Sequence, residues 1–148
     1  MAKQKKSKEL DPARYERITE LSERGNQEFE GERYEEAIEE YQKVLALIPE
    51  PWEDWEASTW VLTALGDCHY LLDNYTEALD FLFRAVHCPG GLGNPFIHLR
   101  LGEVRYELGD EYRASNELAR AYMGGGPEIF AGEDPKYITF LRRFMEGI

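Results

Sequence analysis

A pattern of small and aromatic residues occurs three times in this chain and strongly constrains its fold. The copies comprise Gly25-Asn26, Phe29, Tyr34, Glu36-Ala37-Ile38 and Tyr41; then Leu65-Gly66, Tyr70, Tyr75, Glu77-Ala78-Leu79 and Leu82; then Leu101-Gly102, Tyr106, Leu108-Gly109-Asp110, Ala114 and Leu118. Small residues at matching places let two helices approach closely, and larger side chains would force them apart. The pattern therefore predicts one helical hairpin repeated three times.

Over residues 18–123 this order of residues resembles the tetratricopeptide repeat, whose period is about 34 residues. The resemblance implies an all-α fold, an α-solenoid of three tetratricopeptide hairpins with a C-terminal capping helix. The spacing departs from the family, because Gly25 and Gly66 are 41 residues apart and Gly66 and Gly102 are 36 apart. We place the extra residues between the hairpins, where helices have room to lengthen.

Helix starts are marked by a capping side chain followed by proline, at Asp11-Pro12, Asn94-Pro95 and Asp134-Pro135. We predict seven helices, with the third beginning near Trp52 and the last running from Pro135 to about Met145. The predicted organisation is a flexible basic tail at 1–10 and a single domain at 11–148. Within that domain we expect hairpins at about 12–48, 52–88 and 95–123 and a capping segment at 127–146.

The predicted last helix carries one apolar stripe, formed by Tyr137, Phe140, Leu141 and Phe144. Repeat arrays expose a hydrophobic end unless a terminal element covers it, so this helix is expected to be a lid. The alternative is that the stripe receives a partner.

The chain is acidic, with a formal charge of −12. The first eight residues hold four lysines and no acid, which leaves 13 basic and 29 acidic residues elsewhere. Such a field repels nucleic acid and anionic lipid and favours a basic protein partner, although acidity also serves solubility alone. No secretory signal or membrane span is recognisable, so a cytoplasmic location is expected.

No pattern in the sequence indicates catalysis, a cofactor or a metal. Cys68-His69 and His87-Cys88 hold zinc-type ligands, but an antiparallel hairpin would separate the cysteines by about 10 Å at 1.5 Å per residue. That separation also excludes an easy disulfide. Glu103 and Glu107 are spaced like a solvated helix face rather than a catalytic pair. We therefore predict a protein that is not an enzyme.

The resemblance also implies a concave groove lined by the first helix of each hairpin. The implied partner-binding residues are Glu23, Asn26, Glu30, Trp60, Asp67, Phe96, Arg100, Glu103 and Glu107. We expect the acids to favour a basic partner, with Trp60 and Phe96 as apolar anchors, and we expect Asp67 and Glu103 to project into solvent within the groove. The alternative is that these acids are only a solvated face.

Chaperone-binding members of this family grip a peptide carboxylate with lysine, arginine and asparagine side chains. By register, the five clamp places hold Ser22, Asn26, Ala64, Phe96 and Arg100. Two suitable groups beside several acids do not balance a carboxylate, so this use of the fold is not expected.

Trp52 and Trp55 lie three residues apart among four acids and form a possible second surface. They either lengthen the core between two hairpins or are exposed as binding anchors.

The segment from Glu128 to Leu141 resembles the tail of small bacterial tetratricopeptide proteins found beside polymorphic toxin genes. This resemblance implies an immunity protein that neutralises a toxin effector domain through an acidic surface. The alternative is a general adaptor or secretion chaperone that holds an extended basic or apolar peptide. Either function requires another protein as partner and neither requires a cofactor.

Overall fold

A computed structural model describes residues 9–148, so the first eight residues of the predicted basic tail lie outside the described residues. The α-helices of the described part are α1 Pro12–Glu30, α2 Tyr34–Leu47, α3 Glu56–Leu71, α4 Tyr75–Val86, α5 Pro95–Glu107, α6 Glu111–Gly125 and α7 Pro135–Leu141. Short 3-10 helices form at Trp52–Asp54 and Pro127–Phe130. Residues 9–148 contain no β-strand, and the all-α prediction is confirmed.

The helices pack in consecutive pairs, α1 with α2, α3 with α4, and α5 with α6. Contacts of α2 with α3 and of α4 with α5 join neighbouring pairs, and α7 packs against α6. The structure is therefore a solenoid of three hairpins with a seventh helix at its end, as the repeat pattern predicts.

Close helix approach explains the three repeated glycines. A Cβ atom at Gly25 would lie 2.4 Å from Tyr41 Cε1, and one at Gly66 would lie 2.5 Å from Leu82 Cγ. The same atom at Gly102 would lie 2.6 Å from Leu118 Cγ. Each neighbour belongs to the second helix of the same hairpin, so the repeat register read from the sequence is correct.

The predicted helix starts are confirmed by their capping bonds. Asp11 accepts a hydrogen bond from the Arg14 backbone N–H, and Asp134 accepts one from Lys136. Asn94 accepts from the first two residues after its proline. These caps satisfy backbone donors that the first helical turn leaves without a partner.

Two predicted boundaries are wrong. The third helix begins at Glu56 rather than near Trp52, because Trp52–Asp54 form a 3-10 turn and Trp55 is extended, at φ −123° and ψ 130°. The last helix ends at Leu141 rather than about Met145, because the backbone tightens there. The Phe144 N–H bonds the Leu141 carbonyl three residues earlier instead of four.

The capping helix buries one end of the solenoid. Its residues Tyr137, Phe140 and Leu141 pack with Leu118 of α6 and Phe130 in a third core cluster. Phe144, the fourth residue of the predicted stripe, is half exposed. The stripe is thus shorter than predicted, and its buried part acts as the lid that the last hairpin requires.

Candidate partner-binding groove

A groove runs between α3 and α5, the first helices of the second and third hairpins. It contains a cavity of ≈ 570 Å³, within the range of about 300–1,000 Å³ that is typical of ligand sites. The cavity is lined by Glu56, Thr59, Trp60, Thr63, Ala64, Asp67, Pro89, Gly90, Asn94 and Phe96. We call this feature the α3–α5 groove.

The loop between α4 and α5 forms one edge of the groove and is held from several sides. The Thr59 hydroxyl donates to the Pro89 carbonyl at 2.6 Å. The buried His98 accepts the Gly93 N–H at its Nε2 atom, at 2.9 Å, so its Nδ1 atom carries the proton donated to Glu117. The edge is therefore a fixed part of the site.

The two predicted aromatic anchors both face the cavity. Trp60 is 44% exposed and Phe96 is 36% exposed, high values for such large apolar side chains. The Tyr41 ring packs edge-on against Trp60 at 5.5 Å, and its hydroxyl donates to Asn26 Oδ1 at 2.6 Å. Asn26 thus helps to orient the indole, and it does not line the cavity itself.

Arg100 lies behind the cavity in a dense charge network. Its Nε atom is 2.7 Å from Asp67 Oδ1, and its Nη1 atom is 2.7 Å from Glu103 Oε1 and also contacts Glu133. Its guanidinium lies over the rings of Tyr70 and Phe96, at 4.6 and 5.0 Å from their centroids. Arg100 is thus bound internally by three acidic side chains and two rings.

Burial controls the titration of this network. It raises the pKa of Glu103 to about 9, helped by the hydrogen bond to Glu133 and opposed by Arg100. Burial alone would lower the pKa of Arg100. The surrounding acidic side chains outweigh this effect, so the pKa of Arg100 is raised above its ordinary value. The pKa of Asp67 is also raised, chiefly by burial. Arg100 therefore stays charged, and Glu103 holds a proton at neutral pH.

The acids predicted to line the groove occupy three different environments. Glu23 and Glu30 on α1 are exposed, as expected. Asp67 is mostly buried and the Glu103 side chain is 0% exposed. The prediction that both project into solvent is therefore wrong, because both side chains turn inward to contact Arg100. Glu107 faces the cap, where it contacts Lys136 Nζ at 2.6 Å and accepts from the Tyr137 hydroxyl at 2.8 Å.

Two residues of the Arg100 network, Tyr70 and Glu133, are absent from the predicted groove set. The repeat pattern assigns Tyr70 to the core, and its ring does pack there while also covering Arg100. Glu133 lies 33 residues from Arg100 on the loop before α7. No sequence spacing indicates that contact, because it depends on how the cap folds back.

The first core cluster lies where the first hairpin packs against α3 and includes Leu21, Val44 and Leu65. Trp52 and Trp55 are both partly buried against this cluster. The guanidinium of Arg84 lies 5.5 Å from the Trp52 ring centroid. The two indoles do not share a helical face, since the first lies in the 3-10 turn and the second in extended backbone. Their packing agrees with the alternative that they lengthen the core.

The cysteines behave as core residues. Both are free and buried, and burial, followed by the charge of Asp67, raises the pKa of Cys68 to about 12. Such a thiol stays protonated and unreactive at neutral pH. Among the described residues, no group of three or more histidine, cysteine or acidic side chains is arranged to hold a metal. Nor does any helix of residues 9–148 have the length and apolar character needed to cross a bilayer.

Comparisons with known proteins agree with this architecture. A family model described as tetratricopeptide repeat matches residues 17–86. The C-terminal domain of a Plasmodium falciparum FK506-binding protein is 17% identical, with a TM-score of 0.71 over 91% of this chain and 90% of that chain. No curated protein matches the chain.

Two further solved structures contain bound peptides. The first tetratricopeptide domain of Spaghetti (RPAP3), bound to the HSP90 peptide SRMEEVD, is 20% identical, with a TM-score of 0.65 over 86% of this chain and 92% of that chain. The Yersinia enterocolitica type III secretion chaperone SycD, with a peptide of the translocator YopD, is 16% identical, with a TM-score of 0.66 over 85% and 90%.

Stacked helical hairpins with a lateral groove and a capped end define a repeat scaffold, a class that serves protein–protein interaction. The matched family model and the repeat register give the more particular identification. Residues 17–86 match the tetratricopeptide repeat family, and the described chain as a whole has the tetratricopeptide repeat fold.

Proposed function

We propose that this protein is a non-catalytic adaptor that holds an extended segment of another protein in the α3–α5 groove. The segment carries basic and apolar side chains. Two proteins with a similar fold hold peptides of other proteins, which supports this kind of ligand. The exposed rings of Trp60 and Phe96 supply apolar contact area, and the fixed loop edge gives the groove a preformed shape.

The internal neutralisation of Arg100 is the observation that carries the proposal. A peptide rich in carboxylates, like the HSP90 peptide of the similar structure, requires free cations in the groove. Arg100 already contacts Asp67, Glu103 and Glu133, so a further carboxylate would meet an excess of negative charge. The ligand that fits is therefore neutral or basic.

Neutralisation of a folded toxin domain stays a prediction from the sequence. The tail that resembles immunity proteins has intramolecular roles here: Tyr137 is buried in the third core cluster, Glu133 contacts Arg100 and Asp134 caps α7. These contacts account for the tail without a toxin, whereas the groove and the peptide-bound relatives favour an extended segment.

Selection from a random peptide display library on the full chain tests the adaptor. We expect the selected peptides to be enriched in lysine, arginine and apolar residues. Calorimetry with the best of them, the lead peptide, should show binding that Trp60→Ala or Phe96→Ala weakens by about tenfold or more. Peptides that end in Glu-Glu-Val-Asp should not bind.

Phe83→Ala provides the matched control, since Phe83 is half exposed on α4 and lies outside the α3–α5 groove. It should leave the affinity for the lead peptide unchanged. A selection that yields no peptide, or only peptides insensitive to both groove substitutions, would refute the adaptor.

A further inference from the structure

The α3–α5 groove has an uneven charge distribution that the proposed adaptor function does not by itself explain. Asp67 forms part of its wall, and Glu56 lies at its outer lip in the first turn of α3. Behind the wall lies the guanidinium of Arg100, which contacts this same Asp67 together with Glu103 and Glu133. Even with Glu103 protonated, one excess negative charge remains beside the cavity. The internal ion pairs therefore leave a field that attracts a cation.

The aromatic side chains of the same cavity suit a cation equally well. Cations within about 6 Å of a tryptophan or phenylalanine ring are attracted by its quadrupole, and tryptophan is the strongest of these rings. Phe96 already interacts in this way with Arg100 at 5.0 Å. Within residues 9–148 no lysine or arginine lies over the ring of Trp60, and its indole is 44% exposed. The indole is thus available to an incoming cation.

We infer that the α3–α5 groove contains a subsite for one lysine or arginine side chain of the bound segment. The indole of Trp60 and the ring of Phe96 contact the cation, and Glu56 and Asp67 supply the opposing charge. This inference rests on the proposed adaptor function and adds to it the class of side chain that is recognised. Thr63 and Ala64 between these groups are small enough to admit the aliphatic stem.

Small-molecule probes of a single side chain test the subsite directly. The chain has three tryptophans, so the indole N–H signal of Trp60 can be followed by NMR with Trp52 and Trp55 as internal references. n-Butylammonium and ethylguanidinium should shift the Trp60 signal saturably at constant ionic strength. Neutral 1-butanol and anionic butyrate should not. An equal response to 1-butanol would overturn the cation subsite.

Substitutions locate the effect within the protein. Glu56→Gln and Phe96→Leu should each weaken n-butylammonium binding at least severalfold, with circular dichroism confirming an unchanged fold. Glu35→Gln, at an exposed position in the first turn of α2, removes the same charge elsewhere and should leave binding unchanged. Equal weakening by Glu35→Gln would show a general effect of net charge and refute the site.

Variants of the lead peptide test the cation subsite independently of the adaptor function. Replacing each of its lysines by norleucine, or each arginine by citrulline, should weaken binding by about tenfold at one position only. A peptide that binds the groove with every cation replaced would overturn the subsite and leave the adaptor intact. Saturable binding of n-butylammonium without any selected peptide would support the subsite and refute the adaptor.

Discussion

Arg100 is the side chain at which the second hairpin, the third hairpin and the cap meet. Asp67 belongs to α3, Glu103 to α5 and Glu133 to the loop before α7, and all three contact its guanidinium. Removing one partner from a buried ion pair leaves an uncompensated charge, which typically costs about 3–5 kcal/mol. The network therefore couples the groove wall to the cap, and it withdraws the cation from ligand recognition.

Glu103 gives the stability of the fold a specific pH dependence. Its folded-state pKa of about 9 lies above the value of about 4.3 that an unfolded chain would have. The folded state therefore binds the extra proton between these values. The contribution to stability is fully present below the unfolded pKa and is lost as pH rises towards the folded pKa.

Glu103→Gln should remove this dependence. Between about pH 5 and pH 9, the stability of the natural chain should fall relative to the variant, with a slope of up to about 1.4 kcal/mol per pH unit. Urea unfolding of both proteins across this range measures the difference. Glu111→Gln, at an exposed position on α6, is the control and should leave the slope unchanged. Parallel curves for Glu103→Gln and the natural chain would show that Glu103 is ionised in the folded state.

The sequence predicts that Arg100 lies on the first helix of the third hairpin, but it predicts neither its burial nor its partners. Register within a repeat is local information, so Trp60 and Phe96 lie at the cavity between α3 and α5, whereas Arg100 is buried behind it. Asp67 and Glu133 each lie 33 residues from Arg100, and their burial depends on the packing of separate helices. A charged residue in a repeat pattern looks the same whether it is solvated or paired, so the sequence alone does not predict that Asp67 and Glu103 are drawn into the protein.

At the scale of elements, local signals are again the reliable ones. The aspartate or asparagine before each proline marks a helix start correctly, because the cap and its backbone donor lie within three residues. The region around Trp52 has no such signal. The apolar indoles at 52 and 55 fit a helical period, and only packing against the first core cluster decides that the backbone there is a 3-10 turn followed by an extended residue.

Gly66→Ala tests the contact between α3 and α4. Alanine would favour the helix by about 1 kcal/mol, but its Cβ atom would lie 2.5 Å from Leu82 Cγ, well inside the normal carbon–carbon contact of about 3.5–4.0 Å. Leu82 is fully buried and has no room to withdraw. The cost of overpacking should therefore exceed the gain in helix propensity. We expect a net destabilisation of about 1–2 kcal/mol in thermal or urea unfolding.

Gly132→Ala serves as the comparison, because a Cβ atom at Gly132 would meet nothing within 4 Å. Its effect should stay within about 0.5 kcal/mol. A stabilised Gly66→Ala variant would mean that α3 and α4 separate more readily than the close packing of this hairpin implies.

The whole molecule carries a formal charge of −12, and this field acts on a partner before any contact forms. Glu23, Glu30 and Glu56 are exposed acids on the first helices of two hairpins, the helices on the groove side. Asp67 is paired with Arg100 and Glu103 is protonated at neutral pH, so both contribute less to steering than these three. The field close to the groove should therefore depend mainly on the exposed glutamates.

Replacing Glu23, Glu30 and Glu56 together by glutamine should slow association with the basic lead peptide, because charges at the rim of a site act chiefly on the on-rate, while the loss of Glu56 from the cation subsite should also speed dissociation. Stopped-flow fluorescence measures both rates. Raising the salt concentration shortens the Debye length from about 10 Å at 0.1 M to about 3 Å at 1 M, and it should bring the natural chain and the variant to similar on-rates.

Glu35, Glu36 and Glu39 allow a comparison at equal net charge, since all three are exposed on α2 and none lines the groove. Replacing them by glutamine changes the charge of the molecule by the same amount at a different place. If only the groove-side variant loses on-rate, the position of the acids directs the encounter. If both variants slow equally, the field of the whole molecule is responsible. If the on-rate depends neither on salt nor on either set of substitutions, recognition rests on Trp60 and Phe96, and the acidity of the chain serves its solubility.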